Sequence, residues 1–323
     1  MKLGVGETLD GRSAAGAIAP DRVGSAIAVA HVAPRRPRVD LVPYLMVAPA
    51  LLAIMAFSLL PTLYGMLVSL YRVEFVELLT FVGTRNYVEI LSDPKFWDSV
   101  RVSLIFTTCS VAVTFVGGFG LALLGNQNVR FRSAFRTIVL LPWVTSYVVT
   151  YLIFRWILNP DFGLLNALFV EGLGLPRLNW LGDPKLAMLC LIGVDVWRAA
   201  PYAMVLLLAG LQGIPHEVHE AAAIDGASRA RTFVAVTLPL MRPTILILVV
   251  LLTIIDFNVV VAMLVLTGGG PGTATEAMSL RMYQEAFTYT RMGTASAIAM
   301  VIFAFNLVLT GVYLRTLRTE KYV

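Results

Sequence analysis

Apolar residues in this chain come in long, uninterrupted runs, and charged residues gather at the ends of those runs. A helix that crosses a bilayer needs about 20 mostly apolar residues. Six segments meet that length, at about residues 43–70, 102–124, 137–158, 187–211, 243–266 and 292–314. The runs are continuous rather than alternating, so the strand pattern of a membrane barrel is excluded. Helices are expected because lipid offers no partner to backbone N–H and C=O groups. The predicted fold class is therefore all-α integral membrane, with six transmembrane helices. Pro43, Pro49, Pro61, Pro142 and Pro201 fall inside or near these spans. Each removes an intrahelical donor and predicts a kink.

The segments between the runs differ in kind. Residues 1–39 are rich in Gly, Ala, Pro and Arg, and their longest apolar stretch, 26–33, is far too short to cross a bilayer. No basic start leads into a proper apolar core, so a cleaved signal peptide is not expected. The tail reads as a disordered cytoplasmic extension, and residues 40–320 as one transmembrane domain. Within it, the loop at about 212–242 is too long to be structureless in a compact protein. Its middle, 214–239, is expected to hold short helices.

Composition and charge sharpen this picture. The chain is 58% hydrophobic and only 14% charged, against roughly 25% charged in a soluble domain. The net charge of +5 has to be read by position. If the N-terminus is inside, the inner segments hold Lys2, Arg12, Arg22, Arg35, Arg36, Arg38, Arg130, Arg132, Arg136, Arg229, Arg231, Arg242, Arg315, Arg318 and Lys321. The outer segments hold Arg72, Arg85, Lys95, Arg101, Arg177, Lys185, Arg281 and Arg291. The excess predicts cytoplasmic termini. It is a topology signal, not a nucleic-acid-binding patch.

Several chemistries are missing from the sequence. There is no G-x-x-x-x-G-K-[ST] phosphate loop, and none of the four lysines follows a glycine. No His-Glu-x-x-His or G-x-S-x-G motif is present, so the chain does not read as an enzyme. His216 and His219 share a helix face but lack further metal ligands. Cys109 and Cys190 read as buried free thiols. The Gly268–Gly270 stretch reads as a flexible outer loop rather than a phosphate cradle. Ionisable residues inside spans are costly unless paired or wet. Asp195, Arg198 and Asp256 are therefore candidates for a solute path, joined by Asn258 and Asn306. Trp197, Tyr202 and Tyr147 are candidates to stack on a sugar ring. The alternative for Asp195 and Arg198 is structural pairing, because they stand three apart on a helix.

The loop at 214–243 carries the most specific signal. Pro215 suits the first position of a helix. Glu217 and Glu220 follow where acids favour the helix dipole. Ala221, Ala222 and Ala223 are strong helix formers, and Gly226 suits exit through left-handed backbone. A second short helix is expected to reach about Val236 and stop at Leu238-Pro239. Glu220-Ala221-Ala222, Asp225-Gly226-Ala227 and Leu238-Pro239 together resemble the cytoplasmic signature of binding-protein-dependent ABC importer permeases. Val236 departs mildly from that pattern, where the family often has Ile. Phe81-Val82-Gly83 with Asn86-Tyr87, Leu141-Pro142-Trp143, Asp195-Val196-Trp197-Arg198 with Pro201-Tyr202, and Thr267 to Pro271 are similar to the carbohydrate members.

The resemblance covers about residues 41–320 and carries several implications. The loop would be a coupling element seated on an ATPase, through Glu220, Ala221, Ala222, Asp225, Gly226, Leu238 and Pro239. The partners would be a second permease subunit, two ATPase subunits that use ATP and Mg, an extracytoplasmic substrate-binding protein, a sugar substrate and membrane lipid. No cofactor or metal would be bound by this chain. A secondary active transporter is the alternative, although no internal repeat is evident.

Overall fold

The computed structural model describes residues 42–74, 77–127 and 132–319. The expected N-terminal tail, with its five arginines and Lys2, lies outside the described residues, as do Arg130 and Lys321. The chain divides into two units, one ending at Ala53 and the other running from Ile54 to Val323. Helix α1 (Val42–Ile54) begins in the first and contains Pro49 without interruption.

The second unit opens with a π-turn at Met55–Leu59 and helix α2 (Leu60–Val68). A hairpin follows, β1 (Tyr71–Glu74) paired antiparallel with β2 (Glu77–Phe81), with Tyr71 opposite Phe81. The remaining elements are helical. Helices α3 (Arg85–Ser92) and α4 (Pro94–Gly125) precede α5 (Arg132–Val144), α6 (Tyr147–Ile157) and α7 (Leu164–Ala167). Helix α8 (Pro184–Gln212) leads to α9 (His216–Ile224), α10 (Arg229–Thr232) and α11 (Leu238–Asn258). The chain finishes with α12 (Val261–Leu266), α13 (Met278–Tyr283) and α14 (Met292–Thr319).

Among the described residues, five helical runs are long and apolar enough to cross a membrane: Leu45–Val68, Pro94–Gly125, Pro184–Gln212, Arg229–Asn258 and Met292–Tyr313. Helices α5 and α6 supply a sixth only as a pair, because they meet at 91°. The break falls at Ser146, whose ψ of 137° is extended. Pro142 lies one turn earlier, and Thr145 Oγ1 donates to its carbonyl at 2.6 Å. Proline elsewhere is absorbed: Pro201 sits inside an uninterrupted α8.

Two spans start in the same way. Asp93-Pro94-Lys95 and Asp183-Pro184-Lys185 each place an Asp N-cap before a proline at the first turn. The cap carboxylates accept from Lys95 N at 3.0 Å and from Lys185 N and Leu186 N at 2.9 Å. Such caps contribute about 1 kcal/mol each.

Between the spans, packing is tightest where α4 meets α8. A Cβ on Gly118 would lie 2.5 Å from Ala203 Cβ and 3.1 Å from the Ala200 carbonyl oxygen. Small residues on both helices bring the backbones together, as association in lipid requires. One core joins α4, α8 and α11 through Phe119, Ala203, Met204, Leu207, Leu248 and Leu252. A second gathers Phe106, Tyr151, Leu191, Ala262, Met263 and Leu280. A third holds Phe96, Phe257, Met278, Ala297 and Ile298. Large apolar residues also cover the outer surface of the bundle, such as Val116 on α4 and Val312 on α14. That surface suits hydrocarbon rather than water.

Candidate functional site

The loop between α8 and α11 folds around a nine-residue helix. Pro215 is the residue before α9, with ψ of 140°, so it stands one position earlier than expected. Glu217 lies in the first turn, where the dipole favours an acid. At the other end, Gly226 adopts φ of +75°. Ala227 N donates to Ala222 O at 3.0 Å and Gly226 N to Ala223 O at 3.1 Å. These two bonds close the helix in a left-handed cap that satisfies its last carbonyls.

Helix α9 has a distinct outer face. Ala222 is buried, whereas Glu217, Glu220, Ala221 and Ile224 are exposed at helical spacing. Ile224 is 86% exposed, an unusual position for a bare apolar side chain. Glu220 pairs with His216, Nδ1 to Oε1 at 3.0 Å. Asp225 and Gly226 form the exposed corner beyond it.

Leu238-Pro239 does not stop the second helix, contrary to the sequence expectation. Ser228 caps α10, its Oγ accepting from Arg231 N at 3.3 Å. Helix α10 continues through a π-turn at Phe233–Thr237 directly into α11, with Pro239 in the first turn after it. A π-turn is wider than an α-turn. It makes room for the proline ring, which would otherwise collide with the carbonyl four residues back.

The polar residues inside the spans separate into two groups. Asp195, Arg198 and Asp256 are all buried, at 0%, 4% and 2% exposure. Arg198 approaches Asp195 at 3.7 Å, so the structural pairing left open by their spacing is realised. The Tyr151 hydroxyl donates to Asp195 Oδ1 at 2.8 Å. The Arg198 guanidinium lies 3.6 Å from the Tyr147 ring centroid, which makes Tyr147 a cation–π partner within the chain. Both Asp256 carboxylate oxygens are buried without a hydrogen-bond partner among the described residues, as is Asp195 Oδ2. Tyr151 escaped the sequence reading, although its spacing of four from Tyr147 on α6 places both rings on one face.

Asn258 and Asn306 form the other group. Their side chains exchange hydrogen bonds at 3.2 and 3.4 Å on an accessible surface. Asn258 is the last residue of α11, just before the extended Val259. Trp197 is exposed on α8 and meets Phe154 edge-on at 5.1 Å. Tyr202 stacks on Trp143 at 5.5 Å. These four residues do not join the buried ion cluster.

At the opposite end of the spans, the Thr267–Ala277 loop is internally braced. The Thr267 and Thr275 hydroxyls share a hydrogen bond at 2.7 Å, and Thr275 Oγ1 donates to Gly270 O at 2.8 Å. Thr275 N donates to Gly269 O at 3.1 Å. The glycines serve the backbone: Gly268, Gly269 and Gly272 all have positive φ. Cys109, expected to be buried, is exposed on the outside of α4, and Cys190 is half-buried.

The chain is similar to known proteins over most of its length. A sequence profile described as "binding-protein-dependent transport system inner membrane component" matches residues 115–316. The trehalose/maltose transport system permease protein MalF of Thermococcus litoralis is 39% identical over 86% of this chain and 94% of its own length. The sn-glycerol-3-phosphate transport system permease protein UgpA of Agrobacterium fabrum is 30% identical over 85% of this chain and 94% of its own. Among solved structures, one chain of a bacterial alginate ABC transporter, crystallised with an alginate-bound periplasmic protein, aligns with a TM-score of 0.76. It covers 88% of this chain and 96% of its own at 23% identity, which is a likeness of fold. Multiple apolar spans, a capped helix in the loop before α11 and these matches agree: the chain belongs to the binding-protein-dependent transport system inner membrane components.

Proposed function

We propose that this chain is the permease subunit of an ATP-driven sugar importer, forming half of the translocation path. The observation that carries the reading is helix α9, a peg capped at its C-terminal end whose exposed face offers Glu220, Ala221 and Ile224. A short helix with a fixed C-terminal turn transmits force, whereas an unstructured loop does not. The relatives' names support sugar as cargo, since the chain aligns with permeases for trehalose/maltose and for sulfoquinovosyl glycerol. In this reading both termini and the α9 loop are cytoplasmic, in keeping with the positive charge on that side. ATP and Mg belong to two separate ATPase subunits, and a second permease completes the path. An extracytoplasmic binding protein delivers the sugar.

Within this chain, Asn258 and Asn306 are the stronger path candidates. An exposed amide pair on membrane spans is costly against lipid. It belongs on a surface facing the path or the second permease. Asp195 and Arg198 act one layer behind, tying α8 to α6 through Tyr151 and Tyr147.

Co-expression with the ATPase, the second permease and the binding protein, followed by sugar uptake into proteoliposomes, tests the reading. Glu220→Arg should abolish uptake while leaving the spans folded, with ATP hydrolysis either lost or no longer tied to transport. Normal uptake by Glu220→Arg would remove the coupling role.

A further inference from the structure

The start of α4, the braced Thr267–Ala277 loop and the segment from α13 to Arg291 enclose a second polar feature. It is a cleft of about 490 Å³, within the size range of small-molecule sites. Its charged lining comprises Asp93, Glu276 and Glu285 against Lys95, Arg281 and Arg291. These sum to zero, and most are already paired. Arg281 bonds to Asp93 and approaches Glu276 at 3.7 Å. Arg291 reaches Glu285 at 2.7 Å. Arg281 Nε is nevertheless buried with no hydrogen-bond acceptor among the described residues.

Uncharged groups complete the lining. Gln284 and Thr273 offer both donors and acceptors. Tyr289 stands at the rim, 55% exposed, with the Arg291 guanidinium 5.4 Å from its ring centroid. Gly268 and Gly272 leave bare backbone in the wall, with nothing within 4 Å of where a Cβ would project.

Three features of this lining select a ligand class. Carboxylate acceptors and cationic donors stand together in the lining, which matches hydroxyl groups, each of them donor and acceptor at once. The zero net charge gives no field to steer or hold an ion, and an anion would leave a paired acid with an unpaired neighbour. The concave shape and internal pairing also leave little for a charged protein surface to complement. We infer that this cleft is a vestibule subsite for a neutral saccharide, occupied on the extracytoplasmic side before the sugar enters the spans. The inference rests on the sugar-permease reading and narrows it, favouring neutral sugars over phosphorylated or acidic ones.

The test uses the full complex in lipid nanodiscs without binding protein, titrated with trehalose, maltose and glycerol 3-phosphate by saturation-transfer NMR. Two variants leave every ion pair intact: Gln284→Ala removes hydrogen-bonding capacity, and Thr273→Phe fills the space. Saturable binding of at least one disaccharide, and no binding of glycerol 3-phosphate, is expected. Each variant should weaken disaccharide binding about tenfold, the scale of one lost hydrogen bond in a polar site. Uptake at limiting loaded binding protein should fall with it, and basal ATP hydrolysis should stay unchanged. Wild-type sugar binding by both variants, or equal binding of glycerol 3-phosphate, overturns the inference and leaves the permease reading standing. Equal loss of affinity for empty and sugar-loaded binding protein also overturns it, by making the cleft a docking contact. A wild-type complex that imports no sugar with its binding protein present removes the permease reading itself, irrespective of the cleft variants.

Discussion

Gly226 offers a way to loosen the α9 peg through its backbone while leaving Glu220, Ala221 and Ile224 unchanged. Its φ of +75° is left-handed, yet a Cβ placed there meets nothing within 4 Å. The penalty for a side chain is therefore conformational rather than a collision. For an L-residue that penalty is roughly 1–2 kcal/mol, and β-branching adds to it. The bonds at risk are those from Ala227 N and Gly226 N to the Ala222 and Ala223 carbonyls. Gly226→Val should cost about 2 kcal/mol, a roughly 30-fold shift toward a frayed helix end. A helix of nine residues has little stability of its own to resist this. The assay compares sugar uptake with ATP hydrolysis in proteoliposomes containing the whole complex. Uptake per ATP should fall in the order Gly226→Asn, Gly226→Ala, Gly226→Val, because Asn tolerates the left-handed region best. Equal coupling across the series, or Asn as damaging as Val, would refute the argument that the turn geometry matters.

Other positions test the packing and the buried charges. Gly118→Leu should destabilise the solubilised chain by about 1–3 kcal/mol through overpacking, seen as a lower melting temperature, since even a Cβ there lies 2.5 Å from Ala203. Tyr151→Phe should cost about 1–3 kcal/mol by stripping a donor from buried Asp195; an unchanged melting temperature would show that another group takes its place. Glu276 is held above the ordinary carboxylate value by burial, with Arg281 and Lys95 opposing and Glu285 and Asp93 adding to the rise. A folded-state pKa above the unfolded one means that this group's stabilisation is lost as pH rises through the folded value. Glu276→Gln should therefore flatten the loss of thermal stability between acid and neutral pH, which a melting series across that range would detect.

The spans are legible in the sequence because continuous apolarity has one meaning in lipid: a backbone that must satisfy itself. The cap at Gly226 is legible for a similar reason, since few residues accept positive φ. Features that depend on how two segments meet were not. Leu238-Pro239 looks like a stop until the π-turn at Phe233–Thr237 absorbs it. Pro142 predicts a disturbance but not that the chain turns through 91° four residues later, at Ser146. The hairpin at Tyr71–Phe81 has too few residues for a clear alternation. Asp256 and Asn258 are near neighbours in sequence, yet about 200° apart around an ideal helix, so one is buried and the other exposed. Only knowledge of which face of α11 meets α8 distinguishes them.

The proposed coupling requires α9 to be a cytosolic peg seated on a separate ATPase. With Cys109 and Cys190 replaced by serine, a single Ala221→Cys places a thiol on the exposed face of that helix. A membrane-impermeant maleimide should label it in inside-out vesicles and not in right-side-out ones, and a short bifunctional reagent should join it to the ATPase subunit, with ATP shielding it from the maleimide. Labelling from the outer face, or a complex that imports sugar with no ATPase present, would contradict the account.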